Sequence, residues 1–88
     1  MNPIHSKAMV RRKVREVLNM APGYGKAEGL LLEYVHELTG GNVSLQELRD
    51  AMEYNHDRAY IRSEYDPESE TVLWYITPAG VAQQKSLT

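Results

Sequence analysis

Val43-Ser44-Leu45-Gln46-Glu47-Leu48-Arg49-Asp50-Ala51-Met52, then Ala59-Tyr60-Ile61-Arg62-Ser63-Glu64-Tyr65 and Thr71-Val72-Leu73-Trp74-Tyr75-Ile76-Thr77, decide the fold. Ser44 and Glu47 have the spacing of a capping box, in which a hydroxyl and a carboxylate each satisfy a backbone N–H at a helix start. Leu45, Leu48, Ala51 and Met52 recur on one helical face. A helix is therefore predicted from the Ser44 cap to about Asp57, with Gln46, Glu47, Arg49, Asp50 and Glu53 turned outward. The two β-rich runs flank the polar tip Asp66-Pro67-Glu68-Ser69-Glu70 and predict a hairpin. Alternation puts Val72, Trp74 and Ile76 on one face and Leu73 and Tyr75 on the other, with Trp74 and Ile76 expected toward the core. Thr77-Pro78 reads as an N-cap followed by proline at N1, the start of a short terminal helix.

Upstream, Val10, Val14, Val17 and Leu18 follow helical spacing and predict a first helix from Ser6 or Lys7 to Met20. Ala21-Pro22-Gly23-Tyr24-Gly25 ends it. A second helix is predicted over Lys26 to Thr39, with Leu31, Val35 and Leu38 inward and Gly40-Gly41 as its stop. Leu30, Leu32 and Tyr34 widen its apolar face, which suggests either two neighbours within the fold or a partner chain, as in a homodimer. Residues 1–5 are expected to be a loose tail, 6–84 one domain and 85–88 a second tail. The result is an α+β chain, mostly α: three helices, a two-stranded hairpin and a short C-terminal helix.

The 88 residues carry a net charge of −2, unevenly distributed. Lys7, Arg11, Arg12, Lys13, Arg15 and Lys26 face only Glu16 in the first 26 residues, a balance of +5, whereas the remainder stands at −7. Such asymmetry speaks of partners rather than fold. The basic first helix is thus a candidate phosphate-binding surface; otherwise it is a solvated face paired with acids of helices 2 and 3.

Cysteine is absent, which removes disulfides, thiolate metal sites and cysteine nucleophiles. His5, His36 and His56 lack metal-ligand spacing, so no metal is expected. Gly25-Lys26 lacks the remainder of a phosphate loop, with Met20 and Ala27 at two required positions, and no cofactor is expected. No catalytic triad is recognisable, and the chain reads as a non-enzyme. No apolar run is long enough to span a membrane, and no signal peptide is evident, so a cytoplasmic protein is expected. Tyr60, Tyr65, Trp74 and Tyr75 are expected to form cross-strand aromatic pairs, with base stacking or a protein interface as alternatives.

The order helix, helix, helix, hairpin resembles the winged helix-turn-helix superfamily. Ala59-Tyr60-Ile61 and Trp74-Tyr75-Ile76-Thr77-Pro78-Ala79-Gly80 are similar to the wing of ArsR- and PadR-like repressors. Ala21-Pro22-Gly23-Tyr24 and Ser44-Leu45-Gln46-Glu47-Leu48-Arg49 look like small winged-helix proteins of Mu-like phages. The resemblance implies a DNA-binding transcriptional regulator whose third helix enters the major groove. Ser44, Gln46 and Arg49 would then face the groove, and Arg58 and Arg62 would meet phosphates near the wing. Gln suits adenine edges and Arg guanine edges.

The charges complicate that docking. Glu47, Asp50, Glu53 and Asp57 outnumber Arg49 and Arg58 on helix 3, and Glu64, Asp66, Glu68 and Glu70 crowd the wing. Carboxylates facing phosphates repel, whereas nucleic-acid affinity comes mostly from Lys and Arg. The alternative is a winged helix that binds protein, its acidic half meeting a basic partner.

Overall fold

A computed structural model describes residues 6–86. The elements are α1 (Lys7–Asn19), α2 (Glu28–Thr39), α3 (Leu45–Asp57), β1 (Ile61–Asp66), β2 (Thr71–Ile76) and α4 (Pro78–Lys85). Three helices, an antiparallel hairpin and a closing helix make a winged helix. The expected tail over 1–5, and the last two residues of that expected over 85–88, lie outside the described residues; Lys85 is the last residue of α4.

The starts of α1, α3 and α4 follow their side-chain caps, whereas α2 begins after Ala27 without one. Ser6 accepts from the Met9 N–H, Ser44 and Glu47 form the reciprocal capping box, and Thr77 accepts from the Gly80 N–H ahead of Pro78. Each such cap contributes about 1 kcal/mol. Gly40 ends α2 at φ 81°, a left-handed conformation that suits glycine. The end of α3 has the same form without a glycine. The Ala59 N–H donates to the His56 carbonyl and the Tyr60 N–H to the Asn55 carbonyl, a Schellman pair, with Ala59 at φ 60°. A Cβ is disfavoured there, so Ala59→Gly is expected to stabilise the domain by about 0.5–1 kcal/mol after the extra freedom of glycine in the unfolded chain is deducted. Thermal denaturation followed by circular dichroism checks it, and an unchanged or lower midpoint would refute it.

The core is one cluster: Val10, Val14, Val17 and Leu18 from α1, Leu31 and Val35 from α2, Val43, then Leu48, Ala51 and Met52 from α3, with Ile61 and Ile76 from the hairpin. Leu32, Trp74 and Val81 pack against it. Two inward assignments are corrected: Leu38 is 38% and Leu45 39% exposed. Both lie at helix ends, Leu38 a turn beyond Val35 and Leu45 in the first turn of α3, where the small core has run out of neighbours. His36 Nε2 donates to the Val43 carbonyl at 2.6 Å and ties α2 to the segment that leads into α3.

In the hairpin, Ile61 lies opposite Ile76, Ser63 opposite Trp74 and Tyr65 opposite Val72. The expected cross-strand aromatic pairs are therefore absent from this register. Trp74 instead meets His56 edge-on, and Tyr75 lies under the Arg62 guanidinium at 4.3 Å. Lys26, expected as the first residue of helix 2, is extended and exchanges both backbone hydrogen bonds with Trp74, at 2.9 and 3.0 Å. Gly25 makes this possible: a Cβ there would run into Tyr75 and Leu73. Helix 2 consequently starts two residues later than the periodicity suggests, at Glu28.

Candidate nucleic-acid interface

The residues expected to touch DNA fall into two groups. Ser44, Gln46 and Arg49 remain on the exposed face of α3. Ser44 Oγ accepts the cap hydrogen bond, which leaves its own O–H to donate. Gln46 Nε2 donates to Asp50 Oδ1 at 2.9 Å. Arg49 forks Glu28 of α2, Nε to Oε2 and Nη2 to Oε1, both at 3.0 Å. This hydrogen bond holds the Glu28 carboxyl below its usual range and raises the Arg49 guanidinium above its own, although burial opposes both. The pair's contribution is present above the ordinary glutamate pKa and fades as pH falls through the lowered one. Arg49 thus clasps α2 to α3, and reading a base requires it to leave Glu28.

On the wing, Arg62 Nη1 donates to Glu64 Oε2 at 2.8 Å. Lys26 lies at the wing root, its Nζ 5.8 Å from the Tyr34 ring centroid. Lys13 is paired with Glu16 at 3.1 Å, and Lys7 is exposed near the start of α1.

The second group gathers where α1 crosses the end of α3. Arg11 and Arg58 both lie over the Tyr54 ring, 3.8 and 4.4 Å from its centroid. Arg12 is exposed beside them. Among the described residues the ion pairs are Lys13–Glu16, Arg49–Glu28 and Arg62–Glu64. The arginines of α1 therefore have no described acid of α2 or α3 within ion-pair distance, although Lys7 and Arg11 line a shallow hollow together with Glu47 and Asp50 of α3.

Arg15 departs from expectation. Assigned to the exposed basic face, it is only 5% exposed. Its Nη1 donates to Asn55 Oδ1 at 2.7 Å and its Nε to Gln84 Oε1 at 3.1 Å. Asn55, fully buried, completes its own set by donating to the Arg11 and Ala51 carbonyls. Burial lowers the Arg15 pKa, and neighbouring Arg12 pushes the same way, while Tyr60 and Tyr54 oppose them. Arg15 is the internal tie between α1, α3 and α4 rather than part of the open basic surface. Asn55 had a sequence signal that went unused: it continues the stripe Leu48, Ala51, Met52 as a polar residue on an apolar face. Tyr54, Gln84 and Glu28, which hold Arg11, Arg15 and Arg49, have no such signal.

Among the described residues no His, Asp or Glu cluster is arranged to hold a metal ion, and no helix is long and apolar enough to cross a membrane. No protein-family model matches the chain, and no curated protein matches it significantly. Solved structures do resemble it. A MarR-family transcriptional regulator from Silicibacter pomeroyi superposes with a TM-score of 0.74 at 22% identity, over 93% of this chain and 49% of that one. A transcriptional regulator from Clostridium thermocellum gives 0.77 at 18% identity, over 91% of this chain and 77% of that one. This chain therefore spans about half the length of the first regulator, and at these identities the shared feature is the winged-helix fold.

Proposed function

We propose that the protein is a small DNA-binding winged helix acting as a transcriptional regulator. The observation that carries this reading is the set of arginines at the α1–α3 crossing, Arg11, Arg12 and Arg58, which have no carboxylate within ion-pair distance among the described residues. Cations held by an aromatic ring but not neutralised by a carboxylate keep the charge that phosphate contact requires. The similar solved structures are themselves described as transcriptional regulators, which supports the same direction. In this reading Ser44, Gln46 and Arg49 face the groove, while Lys7, Arg11, Arg12, Lys13, Lys26, Arg58 and Arg62 supply the field; Arg15 acts from inside. The likeness to winged-helix proteins of Mu-like phages makes a phage or prophage regulator its more specific form, working in the cytoplasm. Leu30, Tyr34 and Leu38 form an exposed apolar row on α2 that suits a homodimer on a palindromic site.

Titration of labelled duplex by fluorescence anisotropy at two salt concentrations tests the proposal. Binding is expected to weaken as salt rises, and Arg12→Ala and Arg58→Ala are each expected to lower the logarithmic salt slope by about 1. Absence of binding at low salt rejects it. That outcome favours the second reading, a protein-interaction module, which rests on the outward acids Glu47, Asp50, Glu53 and Asp57 and on the occupation of Arg49 and Gln46 by Glu28 and Asp50.

A further inference from the structure

Between α1, the end of α3 and α4 lies a cleft of about 200 Å³ whose lining includes Arg11, Arg12, Arg15, Tyr54, Tyr60 and Gln83. Three arginines line it, and among the described residues no carboxylate does. Arg15 is the informative member. It is nearly fully buried, and its partners Asn55 and Gln84 are both neutral amides. Its Nη2 has no protein acceptor among the described residues. A buried cation without a counter-charge is costly, and the ordinary remedies are a paired carboxylate or a bound anion. No described residue supplies a carboxylate here.

The rest of the cleft is built to keep its charges in place. The Tyr54 ring holds Arg11 at 3.8 Å, and the Tyr60 ring lies 5.4 Å from the Arg15 guanidinium. Asn55 fixes the Arg15 fork, so little side-chain freedom is lost when an anion arrives. Lined by three positive charges, the cleft matches a dianion better than a singly charged group. Planar guanidiniums present paired N–H donors suited to phosphoryl oxygens.

We propose that this cleft is a phosphoryl-binding site, with Arg15 as its buried anchor and Arg11 and Arg12 closing on the anion from the open side. The inference does not rest on DNA binding. The phosphoryl group can belong to a small phosphorylated molecule or to a nucleic-acid backbone, and the chemistry recognised is the same.

The test uses the full chain and inorganic phosphate, without DNA. Phosphate added at constant ionic strength is expected to shift the Arg15 Nε–H resonance saturably and to raise the melting temperature, with chloride and acetate as comparisons. Arg12→Gln and Arg11→Gln, both outside the apolar core, are each expected to weaken phosphate at least about tenfold, the value of a lost charge-assisted hydrogen bond. Arg15→Met is expected to abolish the site, but the two outer variants decide the matter if it folds poorly. Equal responses to chloride, a response to acetate as strong as to phosphate, or undiminished binding by both outer variants would overturn the proposal. A duplex that displaces phosphate identifies the backbone as the source; a duplex bound alongside phosphate identifies a small molecule. Because phosphate is measured on the protein alone, the site and the DNA reading can fail independently.

Discussion

Leu48→Ala is expected to cost the domain about 2–5 kcal/mol, the range for truncating a fully buried leucine. Leu48 is completely shielded from solvent within the single core cluster that all three N-terminal helices and the hairpin share. Its loss leaves a cavity that this thin core has little material to refill. A chain of 88 residues has a total stability of only about 4–13 kcal/mol at ~0.05–0.15 kcal/mol per residue, so the change removes a large fraction of it. The melting temperature should fall by roughly 10 °C or more, at about 4–8 °C per kcal/mol for a domain of this size. Denaturant and thermal unfolding measure it directly. An unchanged midpoint would mean that α3 presents a different face to its neighbours.

Asn55→Leu has the second largest expected effect, about 2–4 kcal/mol, although it replaces a polar side chain by an apolar one of similar size. Leucine cannot accept from Arg15 Nη1, so a buried guanidinium loses its firmest partner. Hydrogen bonds to charged groups contribute about 1.5–3 kcal/mol, and a buried donor left unmet costs more than the bond itself contributed. The physical cause can be isolated. Arg15→Leu made together with Asn55→Leu removes the cation as well as its acceptor, and such paired replacements are often neutral or stabilising. The double variant is therefore expected to be more stable than Asn55→Leu alone. If it is equally or less stable, the loss lies in packing rather than in the stranded charge.

Local chemistry made the architecture legible. The Ser44–Glu47 box, the Thr77-Pro78 start and the alternation that sends Trp74 and Ile76 inward each rest on contacts within a few residues, and each appears as read. What the periodicity could not give was how far the core extends along each face. Leu38 and Leu45 lie at the ends of their apolar stripes, yet each keeps more than a third of its surface in solvent. Arg15 illustrates the same limit for the site. It sits one residue, about 100°, from Val14, on the border between the apolar stripe and the basic one. Which side claims it is decided by Asn55 and Gln84, forty and sixty-nine positions away. A basic run in one helix announces charge, but only the tertiary arrangement separates the guanidinium that is held inside from those left open.

The two backbone hydrogen bonds between Lys26 and Trp74 make the hairpin three-stranded for a single residue at its base, while Pro67–Glu70 turns in solvent at the far end. Such a ribbon behaves as a cantilever clamped at one end. Deflection of such a ribbon grows with distance from its clamp, which gives the acidic tip the longest lever and the residues around Trp74 the shortest. The hairpin can then follow an uneven surface without passing the strain back into the helices.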